Sequence, residues 1–123
     1  MTVDMHARIE EWCARYGPDP SAISEELNEQ RTTLGLTYNR YRDPRTHDVR
    51  ISDIKINRKL QGHDWMVVPV LWHEYCHAES WILEERQDGH NSRWLARLWR
   101  KPWFAFLDTI AVQIAWIFVK RAR

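Results

Sequence analysis

Two histidines four residues apart with a glutamate beside the first, His73-Glu74-Tyr75-Cys76-His77, carry the most specific chemistry in this chain. On a helix, positions i and i+4 lie about 40° apart around the axis, so both imidazoles face one ion from a single turn. Zinc takes nitrogen ligands at roughly 2.0 to 2.1 Å, and a catalytic zinc keeps three protein ligands and a fourth position for water. Glu74 flanks that position, where its carboxylate takes a proton as the acidified water attacks a polarised carbonyl. The same five-residue pattern arises in helices that merely carry surface charge, and context separates the two cases. Met66 to Trp72 form an almost continuous apolar run ahead of the motif, and Ala78, Trp81, Ile82 and Leu83 follow it. Titratable groups inside such a helix are costly unless they are paired or metal-bound. The pattern therefore reads as an H-E-x-x-H metal motif.

Two residues cannot close a catalytic zinc site, so a third ligand must come from elsewhere. The metzincin spacing requires a histidine six residues after His77, and that position is Leu83. Glu84 is excluded by distance, because seven residues of helix carry it about 10 Å along the axis. His90 remains, within Asp88-Gly89-His90-Asn91. If the motif helix ends between Leu83 and Glu85, the intervening residues reach back to the ion at up to about 3.4 Å each, with Gly89 offered as the point of sharp return.

His73, Glu74, His77 and Ala78, taken with Gly89, His90 and Trp94, resemble the pattern of the SprT-like zinc metallopeptidases, which include the Spartan-type DNA-protein crosslink proteases and border on the WLM type. In that family one or two strands precede an apolar helix bearing H-E-x-x-H-Ala, and a later Gly-His followed by a polar residue and an aromatic supplies the third ligand. The resemblance spans roughly residues 5–100. It implies a compact α+β zincin-like domain whose sheet borders an active-site cleft, zinc on His73, His77 and His90, Glu74 as catalytic base, and a protein or peptide substrate.

Several elements must hold these residues in place. Met5, Ile9, Trp12, Cys13 and Tyr16 recur at helical spacing until Gly17-Pro18 stops them. Pro20 to Gln30 reads as a second short helix or an extension of the first, with Ile23 and Leu27 four apart and Glu25, Glu26 and Glu29 on a solvated face. The period then changes to two: Leu34 to Tyr41 and Val49 to Asn57 are strands of an antiparallel hairpin, connected around Arg45 to Asp48 after Asp43-Pro44. His47 and His63 show no ligand spacing and read as loop histidines. Asp64 is the expected N-cap of the motif helix, with Pro69 in its second turn. Asn91 or Ser92 caps a further helix with Trp94, Leu95, Leu98 and Trp99 on one face.

After Pro102 comes an apolar run of 17 residues, Trp103 to Val119, interrupted by Asp108 and Gln113 and closed by Lys120, Arg121 and Arg123. It falls short of the roughly 20 residues that span a bilayer, although tryptophans and basic flanks suit a membrane interface. Three readings stay open: a core helix packed on the catalytic domain, an oligomer interface, and membrane association. Asp108 would pair with an arginine such as Arg97, or act as a carboxylate behind a zinc-bound histidine.

The length of 123 residues, 44% hydrophobic with eight tryptophans, fits one domain over 1–123 with a core of about 5–100 and a C-terminal apolar helix. Cys13 and Cys76 form no CxxC pair, which excludes a cysteine zinc ribbon and a disulfide framework. A reducing, cytoplasmic setting is the expectation, since the first residues carry neither a basic start nor an apolar stretch. The net charge of +1 hides an asymmetry: residues 93–123 hold seven Lys and Arg against Asp108 alone. That basic segment raises a second function class, a nucleic-acid- or partner-binding module with vestigial activity. Open three-histidine coordination favours the enzyme, because structural zinc sites usually have four protein ligands. The sequence is silent on oligomeric state.

Overall fold

The computed structural model describes residues 3–28 and 33–121, with the side chains at 111, 112, 115, 116 and 118–121 outside that description. Four helices and three strands occur among them, in an α+β arrangement. Helix α1 (Met5–Tyr16) opens where the Asp4 carboxylate accepts the Ala7 N–H at 3.1 Å. It closes where Gly17, at φ 110°, returns its N–H to the Cys13 carbonyl, a left-handed cap that glycine adopts without steric cost. Its apolar stripe buries Ile9, Trp12 and Cys13.

The segment expected to be a second helix is instead a 3₁₀ turn, Pro20–Ala22, followed by strand β1 (Ile23–Asn28). Residues four apart share a face in both a helix and a strand, so the spacing of Ile23 and Leu27 does not separate the two. What decides is a remote partner: β1 pairs in parallel with β3 (Arg50–Asn57), Ile23 opposite Ser52 and Asn28 opposite Asn57. Glu25 and Glu26 are not simply solvated, since Glu25 meets His6 and Glu26 meets Lys55, while Glu29 lies outside the described residues.

Strand β2 (Gly35–Tyr41) pairs antiparallel with β3, as the hairpin reading requires, with Gly35 opposite Ile56 and Tyr41 opposite Arg50. The sheet order is β1-β3-β2, so the sheet is mixed rather than purely antiparallel and β2 stands at one edge. His47 sits in the hairpin connection stacked on Tyr41 at 4.0 Å between ring centroids.

Helix α2 (Asp64–Glu84) is the central element, packed on β2 and β3 and in turn covered by α3 (Ser92–Leu98) and α4 (Pro102–Arg121). The expected Asp64 cap is not made. His63 occupies the cap position without a capping hydrogen bond from its side chain, and Asp64 is the first helical residue. Around α2 the core gathers Ile54, Ile56, Leu60, Leu71, Trp72 and Tyr75. Trp12 meets Trp72 edge to face at 5.0 Å, a geometry that contributes roughly 0.5–1.5 kcal/mol beyond area burial.

The far end of α2 is unusual. Glu85 takes a left-handed conformation at φ 55°, and its N–H returns to the Trp81 carbonyl. Non-glycine residues hold such a φ only where neighbours fix them. Here the Tyr41 hydroxyl donates to its carboxylate at 2.6 Å, and the Arg50 guanidinium binds both that carboxylate and the Ile82 carbonyl.

Helix α4 resolves part of the three-way expectation for the C-terminal run. Its first turns lie on the domain, with Ala105 buried and Phe104 against the core. Its opposite side leaves Trp103, Phe106, Ile110, Ile114 and Ile117 exposed. Among the described residues, no helix is long and apolar enough to cross a membrane.

Candidate metal centre

The axis of α2 sets the first half of the site. Its helical turn places the rings of His73 and His77 5.2 Å apart, and Glu74 points from the same turn toward β2. The second half arrives on the 85–91 connection. Gly89 is not the pivot that the sequence suggested: the positive-φ glycines among the described residues are Gly17 and Gly62, and a Cβ at 89 would meet nothing. The return is built by Glu85 and by Asp88, whose buried carboxylate accepts from Arg86 Nε and Asn91 Nδ2, both at 3.1 Å. Asn91 then caps α3 by accepting the Trp94 N–H at 3.0 Å. Of the face predicted for α3, Trp94 and Leu98 are buried, whereas Leu95 and Trp99 stay exposed.

The result is a three-histidine cluster. The ligand-capable atoms of His73, His77 and His90 all lie within 4.8 Å of one another. Trp94 forms a shared wall, its ring centroid 4.6, 5.0 and 4.5 Å from those of His73, His77 and His90.

Hydrogen-bond partners fix two of the three tautomers. His77 Nδ1 lies 2.9 Å from the Asp88 carbonyl oxygen; a carbonyl only accepts, so Nδ1 carries the hydrogen and Nε2 keeps its lone pair. His73 Nδ1 lies 2.9 Å from Asp108 Oδ1, which fixes the same tautomer. The free nitrogens converge, with His73 Nε2 and His90 Nε2 3.2 Å apart. Two nitrogens bound to one tetrahedral zinc stand roughly 3.3 Å apart, so the donor set fits such an ion.

Glu74 is buried, and strand β2 is shaped around it. A Cβ added at Gly35 would come within 2.9 Å of both Glu74 Cγ and Val70 Cγ1, so only glycine lets the strand pass this close to the helix. Two residues on, the Thr37 hydroxyl lies 2.5 Å from Glu74 Oε2. Burial pushes the Glu74 carboxyl above its ordinary value, held back by His73 and by the Thr37 hydrogen bond. A base raised in this way is closer to the working pH of proton transfer. His73, Glu74, His77 and His90 open on one cleft of about 410 Å³, bordered by Gly35, Thr37 and Asn39 of β2.

The titration of the centre has a readable sign. Burial would push His73 down, but the Asp108 hydrogen bond and the Glu74 and Asp108 charges outweigh it, leaving His73 above 6.5. Burial, followed by the charge on His73, lowers His77 to about 4 and brings His90 below its usual value. His73 is then the last of the three to lose its proton as pH rises. A metal ligand must be deprotonated, so affinity should fall about tenfold per unit below the His73 pKa and level off above it. Competition titrations between pH 5.5 and 8 read this directly, and a flat profile across that range would contradict it.

A family model, SprT-like, matches residues 3–101. The chain belongs to the SprT-like family. Searches of curated proteins and of solved structures find no significant match. In this SprT-like chain the matched residues carry His73, Glu74, His77 and His90, and the cluster of histidines can hold a metal ion. Helix α4, which supplies Asp108, begins at Pro102, just past the matched residues.

Sequence reasoning missed Gly35, Thr37 and Asp88. An isolated glycine inside a strand is a recognised sign of close backbone approach, so Gly35 was within reach; nothing in the pattern marks Thr37. Of the basic residues proposed for nucleic acid, Arg97 pairs with Glu79 and Glu84, and Arg100 pairs with Glu79, so both are engaged within the fold.

Proposed function

We propose that this chain is a zinc-dependent peptidase in which His73, His77 and His90 hold the ion and Glu74 is the general base. The observation that carries the reading is the convergence of three imidazoles with a buried, raised carboxylate on a single cleft beside a sheet edge. Bound zinc supplies a Lewis acid that polarises a carbonyl and lowers the pKa of water.

The chain's own residues do the rest. Thr37 and the close passage at Gly35 hold Glu74 facing the cleft, where its carboxylate takes a proton from the attacking water and later passes it to the leaving amine. Asp88 and Trp94 fix His77, and Trp94 also backs His90. The cleft is open to solvent along β2, which suits an extended or unfolded polypeptide segment rather than a small enclosed ligand.

Metal analysis of the purified protein should give about one zinc per chain, and cleavage of unfolded protein substrates should stop on chelation and return with zinc. A zinc-loaded protein that leaves unfolded and DNA-bound proteins intact would end the peptidase reading while sparing the metal centre. Absence of stoichiometric zinc would end both.

A further inference from the structure

We propose that Asp108, on a helix outside the residues matched to the family, is the positioning residue that aims His73 at the metal, so that α4 completes the metal centre of this chain. The inference rests on the three-histidine reading above and on four observations. Asp108 Oδ1 lies 2.9 Å from His73 Nδ1, and the two side chains are only 14% and 17% exposed. The opposite ring nitrogen, Nε2, is the one that faces His90. The Trp94 ring packs at a steep angle to the His73 ring, 4.6 Å between centroids, and its indole nitrogen lies 3.4 Å from the His73 carbonyl, so the imidazole is also confined by an aromatic neighbour. Ala105, almost wholly buried one turn before Asp108, brings the α4 backbone close enough for a short aspartate to reach.

The chemistry follows from the hydrogen bond. A carboxylate can only accept, so it keeps the hydrogen on Nδ1, leaves the lone pair on Nε2, fixes the ring rotation and makes the imidazole a stronger donor to the ion. His77 receives a comparable service from the Asp88 carbonyl within the matched region. His73 receives it from beyond that region, across 35 residues of sequence.

The test compares wild type with Asp108→Ala, Asp108→Asn and, as control, Gln113→Ala, an exposed polar position on the same helix. Zinc affinity is measured by competition with a chromophoric chelator, the visible spectrum is recorded with cobalt(II) bound, and the melting temperature of the metal-free protein is taken alongside. Loss of this partner should weaken zinc binding by about 10- to 100-fold in Asp108→Ala, in line with other outer partners of metal ligands. Asp108→Asn, which keeps the volume, should fold, bind more weakly than wild type and shift the cobalt spectrum, with Gln113→Ala unchanged. A zinc affinity within twofold of wild type in folded Asp108→Asn and Asp108→Ala overturns the proposal, whatever happens to the melting temperature. If wild type itself binds neither zinc nor cobalt, the three-histidine reading falls first and this one with it.

Discussion

Glu74→Gln is expected to lower peptide hydrolysis by about 10²- to 10⁴-fold while the protein keeps its metal, because the substitution removes the base and leaves every ligand in place. The side chains are nearly the same size, so the tight passage between Glu74 and Gly35 survives. An amide oxygen also still accepts from Thr37, 2.5 Å away in the wild type. What disappears is a group able to take a proton, whose raised pKa comes first from its burial. The assay is turnover of an unfolded protein substrate at matched zinc content. Activity within about fivefold of wild type would show that another group carries the proton and would remove Glu74 from the mechanism.

The largest stability effect should come from Arg97→Ala. Glu79 is completely buried on α2 and is paired by Arg97 and, at 2.7 Å, by Arg100. Arg97 extends the network to Glu84 at 2.5 Å and so ties α3, which begins beside His90, to the helix bearing the motif. Removing one partner of a buried ion pair costs roughly 3–5 kcal/mol, because the remaining charge is left poorly compensated. That is a large share of the 5–15 kcal/mol or so that holds a typical domain together. Arg97→Lys should recover only part of it, since a point charge lacks the planar fork that reaches two carboxylates. Denaturant unfolding of the three proteins measures this, and a loss below about 1 kcal/mol for Arg97→Ala would mean that Arg100 alone satisfies Glu79.

The parts of the fold that were legible in the sequence are those set by local rules. Helix α1 is bounded by a capping aspartate and a left-handed glycine, the β2–β3 hairpin by its alternation and turn residues, and α2 by an apolar run long enough to admit one secondary structure. His73, Glu74 and His77 follow from spacing on a helix, and His90 from elimination and reach. What escaped depends on partners far along the chain. Strand β1 owes its conformation to β3, with Ile23 opposite Ser52, and its own residues carry a spacing that serves helix and strand alike. The chain's return to the metal centre does not turn on Gly89: the left-handed residue there is Glu85, stabilised by Tyr41 and Arg50 from the sheet. Thr37 shows the limit most plainly, for a threonine in a strand is ordinary until the helix packed on it presents a carboxylate.

Helix α4 poses a problem of rotation. A helix with polar residues along one side settles with that side in water, and the apolar side chooses the core. Here Trp103, Phe106, Ile110, Ile114 and Ile117 lie outward while Phe104 and Ala105 lie inward, so hydrophobicity distinguishes the two faces poorly. Turning the helix by one residue swings it about 100°, and sliding it by one turn moves it about 5.4 Å; either would again present apolar side chains to the core. Asp108 breaks the degeneracy. In the observed setting its carboxylate meets His73, whereas in a slipped or rotated one it would be pressed unpaired against the core or lost to solvent, and an unpaired buried charge is among the costliest defects a fold can carry. A single polar residue of this kind fixes registry in packed helices. The same aspartate would thereby act as an alignment key, with the metal centre as the lock into which the C-terminal helix is indexed.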